Sequence, residues 1–212
     1  MRLPTEDIRV KYQARNPIVR SMVKGFLNSF DQLFTGLDVK KILEVGCGEG
    51  FLSNRMSSIK PSATVIGLDY SMDILEIASQ TFTNMPRCRA SVYNLPFKDN
   101  FFDLTVACEV LEHLEEPHIA LPEIQRVTKK YFLASVPQEP LWRILNFMRG
   151  KYITTLGNYP GHIQHWTPGE FVKLVSGYFD VCEIVRPFPW TMIIASRRNS
   201  LHNQIGRLSE ST

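Results

Sequence analysis

Apolar residues recur every three or four positions through residues 5–36, and this spacing predicts an amphipathic helix. The apolar stripe runs from Ile18 to Phe34. Gly36 follows it, at a position where a helix commonly stops. We therefore expect residues 1–36 to form an N-terminal helical cap.

Beyond this cap, short apolar runs alternate with amphipathic stretches. The segment KKILEVGC at 40–47 is apolar without alternation, which indicates a strand buried on both faces. Regular alternation of strand and helix favours βαβ units and a doubly wound, mostly parallel α/β sheet covered on both faces. The predicted strands are 40–47, 63–69, 87–93, 102–110 and 131–136, and the predicted helices are 51–59, 72–82 and 117–127.

The last part of the chain has a different pattern. A helix is predicted near 171–175, and two strands, 181–185 and 191–195, follow each other across the short link RPFPW. Closely spaced strands of this kind form a hairpin, so we expect an antiparallel edge and seven strands in all. Residues 137–167 are too long for an ordinary connection and are interpreted as a helical lid insertion. Residues 198–212 are expected to fray.

Composition sets limits on these expectations. The chain has 212 residues, of which 44% are hydrophobic, and this length favours a single domain over 1–212 with one core. The net charge of +3 is a weak excess that makes a nucleic-acid partner unlikely. The four cysteines form no CxxC pair, which favours a reduced, cytoplasmic setting. No apolar run is long enough to predict a transmembrane segment.

Three glycines follow the first predicted strand in the sequence ILEVGCGEG. Gly46, Gly48 and Gly50 would allow a sharp turn and a close approach of a ligand to the backbone. The helix beginning near Phe51 would offer free N–H groups to a carboxylate or phosphate. Asp69 ends the next strand, where its carboxylate can accept hydrogen bonds from both ribose hydroxyls of a nucleoside.

A nicotinamide or flavin site, or a plain tight turn, is the alternative interpretation of this segment. The dinucleotide fingerprint requires a third glycine three residues after the second, and Phe51 occupies that position. The observed Gly-x-Gly-x-Gly spacing, preceded by Glu44, resembles motif I of the class I S-adenosylmethionine-dependent methyltransferases. GLDYS at 67–71, NLPFKDNFFDLTVACEVLEHL at 94–114 and the closing strand pair resemble the same family. The resemblance covers 38–136 well and 168–197 loosely.

This resemblance implies a Rossmann-like methyltransferase fold with S-adenosylmethionine as the cofactor. In the family pattern the glycine turn contacts the methionine part, Asp69 holds the ribose, Tyr70 or Met72 lies against it, and Leu95 flanks the adenine. Glu109 would lie by the methionyl end. The implied cofactor-binding residues are Glu44, Gly46, Cys47, Gly48, Gly50, Asp69, Tyr70, Ser71, Met72, Ser91, Asn94, Leu95 and Glu109.

One position departs from the family pattern. Many relatives carry an aspartate four residues before the leucine of the NLPF segment, and this chain has Ser91 there. A hydroxyl accepts a hydrogen bond more weakly than a carboxylate does. The usual contact to the adenine amino group is therefore weakened or absent.

The chemistry that this cofactor supports needs little from the protein. The sulfonium is an activated methyl donor, so the protein mainly aligns the acceptor and excludes water. An oxygen or nitrogen acceptor can also require removal of its proton. We therefore expect methyl transfer to an O or N atom of a small molecule, mainly by positioning.

A further constellation suggests assistance by a metal. Glu109, Glu112 and His113 form E-x-x-E-H directly after the fourth predicted strand, and His162 stands four residues before Trp166. The arrangement resembles the ubiquinone-pathway O-methyltransferases and the small-RNA 2′-O-methyltransferases, in which such residues bind a divalent ion. The implied ligands are Glu109, Glu112, His113 and His162, the last in preference to His165. Glu112, His113 and His162 are also the candidate catalytic residues.

Other interpretations of the chain remain open. Metal-free members of the family carry a similar VLEHL stretch, whose histidine packs against the glycine turn. An RNA methyltransferase would require a basic stripe or a stacking platform near the site, and this chain has no Lys/Arg run. A non-catalytic cofactor-binding subunit would be expected to show a damaged glycine turn. A nicotinamide-dependent oxidoreductase is disfavoured by Phe51 and by the hairpin. The sequence indicates neither the acceptor nor the oligomeric state.

Overall fold

The structure is a computed structural model that describes residues 16–141 and 161–198. Within these ranges the chain alternates strands with helices, and a single 3₁₀ turn follows the fourth strand. The helices are α1 (Pro17–Thr35), α2 (Phe51–Ile59), α3 (Met72–Thr81), α4 (Pro117–Val127) and α5 (Pro168–Ser176), and the 3₁₀ turn is Leu111–His113. The strands are β1 (Lys41–Val45), β2 (Thr64–Asp69), β3 (Arg87–Arg89), β4 (Phe102–Cys108), β5 (Thr128–Pro137), β6 (Phe179–Val185) and β7 (Trp190–Arg197).

The strands form one seven-stranded sheet in the order β3-β2-β1-β4-β5-β7-β6. Neighbouring strands from β3 to β5 pair in parallel. β7 pairs antiparallel with both β5 and β6. The predicted doubly wound α/β sheet with a closing hairpin is therefore confirmed, and the antiparallel strand lies inside the sheet, between β5 and the edge strand β6.

Both faces of the central strands are buried, as the continuous apolar run predicted. In β1, Leu43 and Val45 belong to a core cluster that includes residues of α4 and α5. Ile42 belongs to a second cluster, on the other face, with residues of α1 and α2. All three side chains are at most 2% exposed. The carboxyl ends of the parallel strands therefore meet at one edge of a sheet that is covered on both faces.

Helix α1 confirms the predicted cap over the residues that the structure describes. Asn16 caps its start, because the Asn16 side chain accepts hydrogen bonds from the backbone N–H groups of Ile18 and Val19. The helix ends at Gly36, as expected. On its buried face, Phe26 meets the ring of Trp190 edge-on, with 5.3 Å between centroids. Residues 1–15 of the predicted cap lie outside the described residues.

Some predicted boundaries were wrong. The third strand was expected over 87–93 but ends at Arg89. Next, the Ser91 hydroxyl accepts a hydrogen bond from the Tyr93 N–H at 3.3 Å, and such local bonds favour a turn over a strand. The fourth strand was expected to reach 110 but ends at Cys108, because Glu109 has a left-handed backbone conformation with φ 60°.

The final helix contains the predicted residues 171–175, and the fifth strand is longer than predicted. α5 starts at Pro168 because Thr167 and Glu170 form a capping box, with each side chain bonded to the other residue's backbone. β5 starts at Thr128 rather than at residue 131.

The predicted lid and tail are described only in part. Pro137 belongs to β5, and the described lid residues are otherwise 138–141 and 161–167, so 142–160 lie outside. Residues 199–212 of the tail also lie outside. The single domain over 1–212 stays a prediction. Among the described helices, none is long and apolar enough to cross a membrane.

Candidate cofactor and acceptor site

The turn after β1 contains three residues with positive φ: Gly46 at 68°, Gly48 at 53° and Gly50 at 84°. Residues that carry a side chain rarely adopt a positive φ, which explains why these three positions are glycines. A Cβ on Gly46 would lie 2.5 Å from Cγ2 of Val110, and one on Gly50 would lie 2.8 Å from Cε of Met85. A Cβ on Gly46 would therefore clash with the branched side chain of Val110, whereas near Gly50 the flexible end of Met85 could move aside. The approach of a ligand to this turn stays a prediction.

The turn is fastened to the end of β2. The Cys47 N–H donates to the Leu68 carbonyl at 2.9 Å. The Gly48 N–H donates to Oδ2 of Asp69 at 3.0 Å, and Oδ1 of Asp69 accepts from the Ser71 N–H at 2.9 Å. The Asp69 carboxylate therefore faces the glycine turn. Each of its oxygens can accept a second hydrogen bond, which matches the two hydroxyls of a ribose.

Helix α2 begins directly after this turn. Gly50 is its N-cap and supplies no side-chain hydrogen bond. The first N–H groups of a helix have no partner within the helix and carry a partial positive charge. This end of α2 can therefore receive the carboxylate of an amino-acid ligand.

Glu44 and Cys47 are buried beside the turn. The Glu44 carboxyl accepts a hydrogen bond from the Ser53 hydroxyl. Burial raises the pKa of Glu44 to about 8, and the charge of Asp69 adds to the rise while the bond from Ser53 opposes it. Burial also raises the pKa of the Cys47 thiol well above its usual range. Glu44 is thus mostly neutral at pH 7 and packs beneath the glycine turn. Direct contacts of Glu44 and Cys47 with the cofactor stay predictions.

The predicted ribose and adenine residues differ in exposure. Tyr70 is 73% exposed and Met72 is 49% exposed, so both offer apolar surface next to Asp69. Ser71 caps α3, where its hydroxyl accepts from the Ile74 N–H. Leu95, in contrast, is only 2% exposed, so most of its side chain belongs to the core.

Asn94 and Ser91 lie near this adenine side. Asn94 is exposed, and it forms an isolated bridge with Ser91. The Ser91 hydroxyl already accepts the bond from Tyr93 described above. The roles of both residues toward adenine stay predictions.

Glu109 is the first residue after β4. Its φ of 60° is uncommon for a residue with a side chain, and its N–H donates to the Ser135 carbonyl at 2.9 Å. Such conformations concentrate at functional sites. This backbone turn directs the chain from the carboxyl end of β4 into the 3₁₀ turn Leu111–His113.

Three of the four predicted metal ligands come together beyond that turn. Glu112, His113 and His162 each offer one ligand atom, and these atoms lie within 4.8 Å of one another. The His113 and His162 rings are 5.0 Å apart between centroids. Glu109 is not a member of this group of described residues, which we call the Glu-His-His group.

The segment around His162 is held by backbone hydrogen bonds that no sequence pattern predicted. The Glu112 carbonyl accepts from the N–H groups of Ile163 and Gln164, at 2.9 and 3.0 Å. His165 faces elsewhere, with its Nδ1 3.5 Å from Oε1 of Glu139. His162, rather than His165, therefore lies beside His113, as the spacing before Trp166 predicted.

The chemistry of the Glu-His-His group fits a divalent cation. Nδ1 of His113 is 2.7 Å from the carbonyl oxygen of Gly161, so this nitrogen is the donor of that hydrogen bond. Histidines that bind metals are commonly oriented by such a second hydrogen bond. Adjacent ligands of an ion bound at about 2.1 Å are separated by roughly 3–4 Å, and the three ligand atoms here lie within 4.8 Å of one another.

A cleft of about 490 Å³ lies at the opposite end of the strands. It is bordered by the starts of β1, β4 and β5, whereas ligands of open α/β sheets bind at the carboxyl ends. We therefore assign it no part in the site. Its lining residues are Asp38, Lys40, Lys41, Lys98, Asp99, Asn100, Phe101, Asp103, Lys129 and Lys130.

Comparison with known proteins agrees with this geometry. Residues 43–131 match the family model described as a methyltransferase domain. These matches and the fold support a class I S-adenosylmethionine-dependent methyltransferase. It is 35% identical over 100 residues to an uncharacterized methyltransferase of Schizosaccharomyces pombe, with 42% of this chain and 36% of the relative covered. It is 27% identical over 168 residues to the ubiquinone biosynthesis O-methyltransferase of Vibrio vulnificus, with 70% of this chain and 66% of the relative covered.

Solved structures share the fold at low sequence identity. Magnesium protoporphyrin IX methyltransferase from Synechocystis, with bound SAH, has a TM-score of 0.64 and 19% identity, with 86% of this chain and 88% of that chain covered. An S-adenosylmethionine-dependent methyltransferase from Aquifex aeolicus has a TM-score of 0.68 and 16% identity, with 91% and 99% covered. The chain spans 36% of the length of the relative from Schizosaccharomyces pombe and 66% of the length of the relative from Vibrio vulnificus.

Proposed function

We propose that this methyltransferase transfers the methyl group of S-adenosylmethionine to an oxygen or nitrogen atom of a small molecule. The observation that carries the proposal is the Asp69 carboxylate, which is fixed against the Gly48 N–H within an intact glycine turn. A subunit that had lost its activity would be expected to carry a damaged turn. An oxygen acceptor is favoured, because the relative from Vibrio vulnificus is named an O-methyltransferase.

The chain's own residues would act by binding and orientation. The start of α2 receives the cofactor carboxylate, and Asp69 binds the ribose hydroxyls. The acceptor would lie at the carboxyl ends of β4 and β5, beside Glu109, where the segment 161–167 is bonded to the Glu112 backbone. The bound cofactor supplies the activated methyl group. Alignment of two reactants alone contributes several kcal/mol to catalysis.

We also propose that the Glu-His-His group holds a divalent cation, with Glu109 as a candidate fourth ligand. Such an ion would lower the pKa of an acceptor hydroxyl bound beside it. The proposed cation site is supported by the spacing of the three ligand atoms and by the hydrogen bond between the His113 ring and the Gly161 carbonyl. The alternative is that the three side chains only join the segment 161–167 to the turn after β4.

The cofactor is tested by ligand-dependent stability. Because a ligand of the native state raises the melting temperature, S-adenosylmethionine or S-adenosylhomocysteine should raise it while NADH should not. Methyl-labelled S-adenosylmethionine with a panel of hydroxyl and amine acceptors then tests the reaction. A shift with NADH alone would overturn the proposed function.

The metal is tested separately, by metal content and Mn²⁺ titration calorimetry. We expect Glu112→Ala and His162→Ala to lose Mn²⁺ binding, and EDTA to abolish methyl transfer. The matched control is His165→Ala, because His165 lies nearby in sequence but outside the group. Full activity in excess EDTA would exclude the metal and leave the structural role.

A cytoplasmic location stays a prediction that cell fractionation can test.

A further inference from the structure

The loop at residues 94–101, between β3 and β4, is held by two side chains of α4. Oε2 of Glu123 accepts a hydrogen bond from the Leu95 N–H at 2.9 Å. The Leu95 carbonyl accepts one from Nη2 of Arg126, also at 2.9 Å. Both backbone groups of one loop residue are thus bound by two oppositely charged residues one helical turn apart.

Arg126 binds the rest of the loop as well. Its Nη1 donates to the Phe97 carbonyl at 2.7 Å and to the Asp99 carboxylate at 2.8 Å. Its own carbonyl accepts from the Asn100 N–H at 2.8 Å. Residues 95–100 are therefore attached to α4 at five points, all supplied by Glu123 and Arg126.

The two charged residues also fix each other. Nε and Nη2 of Arg126 donate to the two carboxylate oxygens of Glu123, at 2.7 and 2.9 Å. This bidentate arrangement defines the orientation of both groups. The hydrogen bond from Arg126 holds the pKa of Glu123 below its usual range, although burial opposes the shift. Side-chain exposures of 22% for Glu123 and 31% for Arg126 show that the pair is partly shielded from water.

Apolar packing fixes only part of this loop. Phe97 packs edge-on against Phe102, with 4.8 Å between centroids, so aromatic contacts hold its later half. In the earlier half, Asn94 and Pro96 are exposed. The Leu95 side chain is held by the core cluster, and the hydrogen bonds from Glu123 and Arg126 fix the N–H and the carbonyl of its backbone.

We infer that Glu123 and Arg126 are a positioning pair that sets the affinity for the adenosine end of the cofactor by fixing Asn94 and Leu95. Neither residue of the pair need touch the ligand. The inference rests on the proposed function and on the predicted contact of Asn94 and Leu95 with the adenine. The inference adds that side chains of α4 set the position of Asn94 and Leu95.

The test measures S-adenosylhomocysteine affinity by titration calorimetry, well below the melting temperature of each variant. A loop that must be ordered on binding costs affinity, so we expect about a tenfold weaker affinity for Arg126→Ala. Glu123→Gln keeps an acceptor for the Leu95 N–H and should lose less. Arg126→Lys keeps the charge without the two-pronged geometry, and it serves as the milder variant if Arg126→Ala folds poorly.

Arg198 supplies a matched control. It also donates to a backbone carbonyl, that of Ser176 at 2.6 Å, and to a carboxylate, that of Asp180 at 3.1 Å. Its side chain is 29% exposed, close to the value for Arg126. We expect Arg198→Ala to lower the melting temperature without changing the affinity for S-adenosylhomocysteine.

Two further readouts separate positioning from a general loss of stability. Adenosine alone should bind Arg126→Ala more weakly by about the same factor as S-adenosylhomocysteine does. In turnover with S-adenosylmethionine, KM should rise while kcat is kept. If the unaltered protein binds no S-adenosylhomocysteine, the proposed function fails. If the unaltered protein binds it and Arg126→Ala binds it equally well despite a lower melting temperature, the positioning inference is wrong.

Discussion

The buried carboxyl of Glu44 leads to a prediction about the pH dependence of stability. In the unfolded chain this group has a pKa near 4.5, whereas burial raises it to about 8 in the folded protein. Between these values the folded state keeps a proton that the unfolded state has released. The free energy of unfolding therefore falls as pH rises, by up to about 1.4 kcal/mol per pH unit from this group.

The magnitude follows from the same two pKa values. From pH 6 to pH 8, the contribution of Glu44 should fall by roughly 2 kcal/mol. Glu44→Gln removes the ionisation but keeps an oxygen that can accept the hydrogen bond from Ser53. The variant should match the natural protein only well below pH 4.5, and should exceed its stability by about 2 kcal/mol at pH 6 and about 4 kcal/mol at pH 8.

Urea unfolding at several pH values measures this difference. Subtracting the two proteins cancels the histidines and other groups that titrate in both. A difference in unfolding free energy that stays constant from pH 6 to pH 8 would show that Glu44 is not held neutral in the folded state. Glu44→Ala is a useful companion, since it also leaves the Ser53 hydroxyl without its acceptor and should destabilise at every pH.

Two substitutions, one at the end of β2 and one in the glycine turn, test other parts of the site. Asp69→Asn places an amide NH₂ against a backbone N–H and removes a charge, so calorimetry should show S-adenosylhomocysteine binding weakened roughly tenfold to a hundredfold, and unchanged affinity would contradict the ribose role. Gly46→Ala should cost about 1–3 kcal/mol in urea unfolding, because its Cβ would meet Val110 at a positive φ. Val110→Ala should recover part of that loss, and an equal cost in both backgrounds would contradict the steric argument.

The sequence was most informative where local patterns decide the structure. The apolar run of β1 and the periodic stretches of α2 and α4 require only near neighbours, and the two helices were predicted with their observed bounds. The glycine turn was found because positive φ restricts the choice of residue. The contacts that a Cβ would make with Val110 and Met85 were not predicted, since these residues come from distant parts of the chain.

The features that were missed depend on contacts between distant residues. The two hydrogen bonds from Ile163 and Gln164 to the Glu112 carbonyl join backbone groups about fifty residues apart, and backbone groups leave no trace in the sequence. The hydrogen bonds from Arg126 to the loop at 94–101 likewise could be predicted only if α4 were known to lie beside that loop. An Arg three residues after a Glu within a helix signals a local ion pair but not the loop that the pair binds.

The fixed carboxylate of Asp69 also determines which nucleotides the turn should reject. Two backbone donors hold it in place, so it cannot easily swing aside for an unsuitable ligand. A ribose phosphorylated on its 2′ or 3′ oxygen would bring negative charge against a negative group at close range, where the repulsion is strong. Nucleotides of that kind should therefore compete poorly for the pocket, even when they are far more abundant than the ligand it accepts.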